Sequence, residues 1–110
     1  MDVLEDGLEE TRRRSAALFG NEKTVEVVLA LKAEKGWATA QQLHARTGIA
    51  YSMVRDALGR LVQGGAVETS RTGGSRSPKF YYPVEGHVWN GLVEGAQGLW
   101  AEAHDRADAT

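Results

Sequence analysis

The chain contains no cysteine among its 110 residues, which excludes disulfide bridges, thiolate nucleophiles and cysteine-based metal sensing. It also lacks any run approaching the roughly 20 apolar residues that span a bilayer. Its first residues, MDVLEDGLEE, do not have the basic start and continuous apolar stretch of a signal peptide. These absences predict a cytoplasmic protein that makes no use of a membrane.

Catalytic and metal-binding sets of residues are also missing. The three histidines, at positions 44, 87 and 104, share no metal-ligand spacing with one another or with carboxylates. No serine–histidine–acid set or Walker loop is present, because the glycine-rich stretch at residues 72–78 lies between two β-prone runs and not before a helix. The sequence therefore predicts neither an enzyme nor a metal site, and no cofactor.

Charge is distributed unevenly along the chain, although the net charge is only −2. Residues 37–84 carry six basic and two acidic side chains, a net of +4, whereas residues 1–36 sum to −2 and residues 85–110 to −4. A basic middle between acidic ends is typical of a domain that offers one face to phosphate. The acidic total counts against nucleic-acid binding and keeps a second class of function open, namely a module that binds another protein.

Two helices are predicted before residue 37. The first covers residues 2–18, and the sequence does not fix its start. The second covers residues 22–35, because the side-chain oxygen of Asn21 can cap its first turn and Gly36 can end it. Residues 25–31 also alternate as a strand would, but the length, the glutamate and lysine content and the cap favour a helix.

A short helix and a tight turn follow an extended link at residues 37–38. Thr39 and Gln42 have the spacing of a capping box, which predicts a helix that starts at Ala40. Gly48 follows within about two turns, and glycine adopts the positive φ of a C-cap at little cost. The sequence therefore predicts a tight turn at this glycine.

The next helix is predicted over residues 51–63, ending at the glycine pair 64–65. Its apolar face consists of Val54, Leu58, Leu61 and Val62. The β-prone runs 66–71 and 79–84, joined by a glycine-rich connector, predict a β-hairpin with a flexible tip. A last helix is predicted over residues 87–107.

This order of elements resembles the winged helix-turn-helix core of MarR and ArsR regulators. The matching positions are Leu43, Gly48, Ile49, Val54, Leu58, Leu61, Gly65 and Val67. The resemblance implies a mainly α fold with a small β-hairpin, in which residues 21–84 form the DNA-binding domain. Residues 1–20 are then an N-terminal helical extension and residues 85–110 a C-terminal helix, and both ends supply dimerisation helices.

Two positions depart from the family pattern. His44 stands where alanine is common at the helix crossing, and Ala50 stands where a serine or threonine N-cap is usual. We expect the first departure to loosen the crossing and the second to leave the following helix weakly capped.

The resemblance implies that the helix at residues 51–63 enters the major groove, whose width of about 12 Å admits one α-helix. The contacts expected from this helix are Tyr51, Ser52, Met53, Arg55 and Arg60. Arg55 is expected to read guanine through two hydrogen bonds, and Arg60 and Arg46 to contact phosphate. The contacts expected from the wing and its flanks are Arg71, Arg76, Lys79, Thr39, Gln41 and Arg46.

Other roles stay open for several of these residues. Arg55 has two acidic candidates for an ion pair, Asp56 and Glu68. Tyr51 can pack over the turn, and Met53 can fill space in the core. The aromatic residues expected in hairpin and core packing, and not in base stacking, are Trp37, Phe80, Tyr81 and Tyr82.

The last helix has an apolar stripe that predicts a homodimer interface. The interface residues expected are Trp89, Leu92, Val93, Ala96, Leu99 and Trp100. Small residues at positions 91, 95 and 98, all glycine, would let a second helix approach closely. The alternative is that the stripe covers its own domain, but the central region already looks like a nearly complete domain.

The predicted function is therefore a homodimeric regulator of transcription that binds double-stranded DNA in a sequence-specific way. The alternative is a winged helix that binds another protein in transcription or chromosome-segregation machinery. The resemblance leaves room for a small-molecule effector. The sequence identifies neither that effector nor the operator, the target genes or the direction of regulation.

Overall fold

The computed structural model describes residues 7–12, 19–21, 23–34, 36–71 and 78–108. Its helices are α1 (Thr24–Ala33), α2 (Ala40–Thr47), α3 (Tyr51–Gln63) and α4 (His87–Asp108). Its strands are β1 (Ala38–Thr39), β2 (Val67–Arg71) and β3 (Lys79–Pro83). Within the described ranges, no helix has the length and apolar character needed to cross a membrane.

The three strands form one antiparallel sheet in the order β1-β3-β2. Ala38 pairs with Tyr81 across β1 and β3, and Glu68 pairs with Tyr82 across β2 and β3. The hairpin of β2 and β3 is as predicted, but a third strand forms at residues 38–39, where the predicted link ends. A strand of two residues is too short to show the period-two pattern in the sequence, so only its pairing with β3 reveals β1.

Helix α1 confirms the helical interpretation of the valine-rich segment, and it is shorter than predicted. The Asn21 side-chain oxygen accepts a hydrogen bond from the backbone N–H of Lys23 at 2.7 Å, but the N-cap is Lys23 and not the predicted Asn21, because the helix begins at Thr24. Six of its ten residues are buried, because α2 and α4 pack against it from different sides. A helix covered on several sides is apolar around most of its circumference, which explains the strand-like alternation.

Helices α2 and α3 have the predicted bounds. The Thr39 hydroxyl accepts a hydrogen bond from the N–H of Gln42 at 3.1 Å, and the Gln42 side chain accepts one from the N–H of Thr39 at 2.8 Å. Gly48 ends α2 with φ of 73°, as a left-handed C-cap. The side chains of α3 that face the core are Val54, Ala57, Leu58 and Leu61.

Helix α4 packs against α1 and completes the core of its own chain. Four of the six residues predicted for a dimer interface are buried there, namely Trp89, Val93, Ala96 and Leu99. The expectation that this stripe has little to cover internally is therefore wrong, because α1 presents a second apolar side to it. Leu92 and Trp100 are partly buried, and Val88 is 56% exposed.

A helical segment at residues 7–12 packs near the C-terminal part of α4. A side chain on Gly7 would collide with the His104 ring, since an added Cβ would lie 2.6 Å from it. The buried Thr11 hydroxyl donates to the Gly7 carbonyl oxygen at 2.8 Å, and Arg12 forms an ion pair of 3.0 Å with Glu26 of α1. Residues 7–12 and the C-terminal part of α4 are thus held against the same core.

Candidate nucleic-acid interface

The start of α3 faces the base of the wing across an open cleft of about 510 Å³. Residues from β1, α2, α3 and β3 line this α3–wing cleft: Thr39, Ala40, Gln41, Tyr51, Arg55, Pro78, Lys79 and Tyr81. Five of them, at positions 39, 41, 51, 55 and 79, are predicted DNA contacts. The sheet and the helix-turn-helix therefore bring residues 40 positions apart in sequence to one surface.

Arg55 is exposed at this cleft and forms no ion pair with any residue in the described part of the chain. Its guanidinium carbon lies 5.8 Å from the centroid of the Tyr51 ring, within the range of a cation–π contact. The two acidic candidates have other partners: Asp56 pairs with Arg60 at 3.3 Å, and Glu68 accepts a hydrogen bond from Tyr82 at 3.0 Å. The Arg55 guanidinium is thus available to a ligand.

Tyr51 packs over the turn and still reaches the cleft. Its ring meets the His44 ring edge to face at 6.3 Å, while 43% of the residue is exposed. His44 Nδ1 lies 2.6 Å from the carbonyl oxygen of Ile49, and because a carbonyl only accepts, Nδ1 donates the proton. His44 therefore ties α2 to the residue after the turn, which corrects the expectation that it loosens the crossing.

The remaining predicted contacts of α3 differ in exposure. Ser52 is exposed in the first turn, beside the cleft. Met53 is partly buried against the core, which favours the packing role that the sequence left open. Ala50 provides no side-chain cap, as expected, and its carbonyl accepts hydrogen bonds from the N–H groups of Met53 and Val54.

Two arginines predicted to contact phosphate form ion pairs within the chain. Arg46 pairs with Glu34 at 2.9 Å and does not line the α3–wing cleft. Arg60 pairs with Asp56, which also accepts a hydrogen bond from the Asn21 amide at 3.2 Å. Exposed pairs of this kind contribute about 0 to 1 kcal/mol, so a phosphate can compete for either guanidinium.

The wing contributes Lys79 to the cleft, with its ammonium nitrogen 5.8 Å from the Tyr81 ring centroid. Arg71 pairs with Lys79 in the backbone register of β2 and β3, but its side chain lies outside the described residues. Arg76, the predicted contact at the wing tip, also lies outside them. No carboxylate lines the described part of the cleft, so its electrostatic character is positive.

The opposite face of the sheet carries Tyr82, the residue with a clear pKa shift among the described groups. The hydrogen bond to Glu68 is the main cause that raises the pKa of Tyr82 above 10.0, with desolvation and the charge of Glu68 acting in the same direction. Trp37 lies on this side as well, where it packs edge to face on Phe80 of the hairpin and is 51% exposed, so the predicted packing role holds on the hairpin and not in the buried core. The described residues include no cluster of three potential metal ligands.

Sequence reasoning missed three residues that line the cleft, Ala40, Pro78 and Tyr81. The position of Pro78 in the sequence could have indicated this role, because Pro78 is the last residue of the hairpin connector and directly precedes the β-prone run 79–84. Tyr81 was predicted to serve packing. It faces inward from β3, where it both packs in the core and lines the cleft. The hydrogen bond of His44 had no signal in the sequence, because it joins residues on the two sides of a turn.

A short capped helix, a glycine turn, a helix exposed at its start and a three-stranded wing define the winged helix-turn-helix class of transcriptional regulators. Residues 21–86 match the family described as sugar-specific transcriptional regulator TrmB. This match covers more than half of the chain, and the chain belongs to that family. The family is one of regulators and not of enzymes.

Solved structures, MarR-family regulators among them, have the same fold. A regulator from Silicibacter pomeroyi is 16% identical with a TM-score of 0.76, over 94% of this chain and 68% of that chain. BpsR of Bordetella bronchiseptica, whose DNA binding is regulated by 6-hydroxynicotinic acid, is 14% identical with a TM-score of 0.73, over 96% and 73%. Sco3205 of Streptomyces coelicolor, solved in complex with DNA, is 17% identical with a TM-score of 0.70, over 96% and 64%. Comparison with curated proteins finds no match.

Proposed function

We propose that this transcriptional regulator binds double-stranded DNA in a sequence-specific way, with α3 in the major groove and the wing on the adjacent backbone or minor groove. The observation that carries the proposal is the α3–wing cleft, whose described lining includes Arg55 and Lys79 and no carboxylate. Arg55 stands on the first turns of α3, the part of a recognition helix that meets base edges. It is the residue that reads guanine.

Contacts with the backbone come from the residues around Arg55. Thr39 and Gln41 lie at the start of α2, where the positive end of the helix dipole and the N–H groups outside the capping box favour a phosphate. Lys79 extends the positive surface to the wing. We expect Arg71 and Arg76 to add phosphate contacts from the wing. Tyr51 and Ser52 lie beside the base reader and complete the surface that meets the groove.

The protein acts as a homodimer, so that two copies of α3 enter successive major grooves about 34 Å apart. The four stripe residues buried in the core of the chain are not the contact surface. The contact surface is the outer side of α4, where Val88 is exposed and Gly91, Gly95 and Gly98 leave open space. A near-palindromic operator follows from the two-fold symmetry.

Selection of bound duplexes from a random pool tests this proposal. We expect enrichment of sites with two related half-sites, and Arg55→Ala should lose the preference for guanine at one position in each. The matched control is Lys32→Ala, which removes an exposed positive charge at the end of α1, away from the cleft. A pool that shows no enriched sequence would contradict specific recognition.

The salt dependence of binding separates this proposal from a protein-binding winged helix. For a DNA-binding domain, the logarithm of the binding constant falls with the logarithm of the salt concentration, and the slope is about 0.9 for each phosphate contacted. Absence of binding to duplex DNA at low salt would favour a protein partner, in keeping with the net charge of −2.

A further inference from the structure

The face of the sheet that points away from the helices is aromatic. Tyr81 of β3 faces the core with 7% exposed, so its strand neighbours Phe80 and Tyr82 point to the other side. Trp37, directly before β1, joins them on this outer sheet face. Together with Gly36 and Ser70 they line an open cavity of about 500 Å³ that no part of the DNA-binding proposal uses.

Two of the rings form a corner. The centroids of Trp37 and Phe80 lie 4.8 Å apart and their planes are perpendicular, so the edge of one ring meets the face of the other and the two rings form adjoining walls of the cavity. Tyr82 follows two residues along the same strand and extends the wall. Gly36 has φ of 104° and open space where a Cβ would stand, which keeps the floor of the cavity clear.

A carboxylate lies beside this corner in the described part of the chain. The face of an aromatic ring carries the negative part of its quadrupole. Glu68, opposite Tyr82 in the register, accepts the Tyr82 hydroxyl hydrogen at 3.0 Å and places a carboxylate at the end of the wall. Arg46, which lines a neighbouring cavity together with Trp37, forms an ion pair with Glu34 at 2.9 Å.

We propose that the outer sheet face binds a small organic ammonium ion, with the rings of Trp37 and Phe80 against its alkyl groups and Glu68 as the countercharge. Ring faces attract cations that are too large and too weakly hydrated to prefer water, and a carboxylate in reach adds to this attraction. A neutral apolar ligand or a proline-rich peptide would use the rings but gain nothing from the charge of Glu68. The carboxylate therefore distinguishes the cation from the other occupants.

Choline chloride and its uncharged isostere 3,3-dimethylbutan-1-ol are the probes that test this site on the full chain. The readout is the indole N–H signal of Trp37 in NMR spectra, assigned by comparison with Trp37→Phe. We expect choline to shift this signal in a saturable way and the alcohol to leave it unchanged. The indole signals of Trp89 and Trp100, which lie on α4, should not respond to either probe.

Variants separate the contribution of the Glu68 charge to choline binding from the contribution of the aromatic rings. Glu68→Gln keeps an acceptor for the Tyr82 hydroxyl and removes the charge, and we expect it to weaken choline binding roughly fivefold. Phe80→Leu should weaken it by at least as much, because one wall of the corner is lost. Glu94→Gln is the matched control, since it removes an exposed carboxylate on α4, and it should bind choline as the wild type does.

Three results would overturn the proposal. The first is the absence of a saturable shift with choline, and the second is an equal response to the alcohol. The third is a proline-rich peptide that binds at Trp37 with the same affinity in the wild type and in Glu68→Gln. Thermal unfolding of each variant identifies any that fail to fold, and Glu68, being exposed, supplies a variant whose folding does not depend on core packing.

Discussion

The guanidinium of Arg55 lies 5.8 Å from the ring centroid of Tyr51, one turn earlier on α3. The ring of Tyr51 in turn meets His44 edge to face, and His44 holds the carbonyl of Ile49 at 2.6 Å. This chain of contacts connects the turn of the helix-turn-helix to the arginine that faces the cleft. A guanidinium held over a ring has fewer orientations to lose when it binds a base.

Replacement of Arg55 tests its role as a base reader. Arg55→Ala should reduce discrimination at one base pair by about 1 to 3 kcal/mol, because a bidentate contact with guanine is lost. Binding to a panel of duplexes that differ at single positions measures this loss. Arg55→Lys keeps the charge without the planar fork and should also relax the preference. Identical preference profiles for wild type and Arg55→Ala would exclude this role.

Replacement of Lys79 tests the wing contact. Lys79→Gln should weaken binding to all duplexes alike and lower the log–log salt slope by about 0.9, the value for one phosphate. Titrations of one strong and one weak site over a salt series give both quantities. An unchanged slope would mean that the base of the wing does not touch the backbone.

Substitutions at the N-cap positions of α2 and α3 should have opposite effects on stability. Thr39→Ala removes the capping box and should cost about 1 kcal/mol, a fall in Tm of roughly 4 to 8 °C. Ala50→Ser supplies the side-chain oxygen that α3 lacks and should raise Tm. Thermal unfolding followed by circular dichroism compares the two variants with the wild type. A Tm that falls in Ala50→Ser would show that the backbone of this turn cannot use a cap.

The hydrogen bond of His44 predicts a further effect on stability. His44→Ala leaves the Ile49 carbonyl without its donor and should destabilise the fold by about 1 kcal/mol or more. His44→Asn offers an amide N–H in its place and should recover part of the loss. Denaturant unfolding measures both variants. Equal stability of wild type and His44→Ala would mean that water replaces this hydrogen bond at no cost.

The helix-turn-helix could be predicted from sequence because its signals are local. The capping box at Thr39, the glycine at position 48 and the apolar spacing of α3 each determine a boundary within a few residues. The same signals placed Arg55 on the first turns of α3, and the sequence left open which carboxylate it would meet. Only the fold shows that Asp56 and Glu68 have other partners.

The parts that could not be predicted depend on contacts between distant segments. The strand at Ala38 exists because β3 pairs with it, and the burial of Trp89 and Leu99 depends on a second apolar side of α1. The sequence pattern of the apolar stripe on α4 is the same whether the stripe packs against its own chain or against a second copy. Trp37, counted among the packing residues, packs against Phe80, a residue 43 positions later in the chain, and is still half exposed.

Chemical-shift mapping with an operator selected from the random pool tests the central claim most directly. We expect the backbone amide signals of Tyr51 to Arg55, Thr39 to Gln41 and Lys79 to move on addition of the duplex, while those of the outer sheet face and of α1 stay in place. Shifts confined to the outer sheet face, or no shift at the start of α3, would contradict the account.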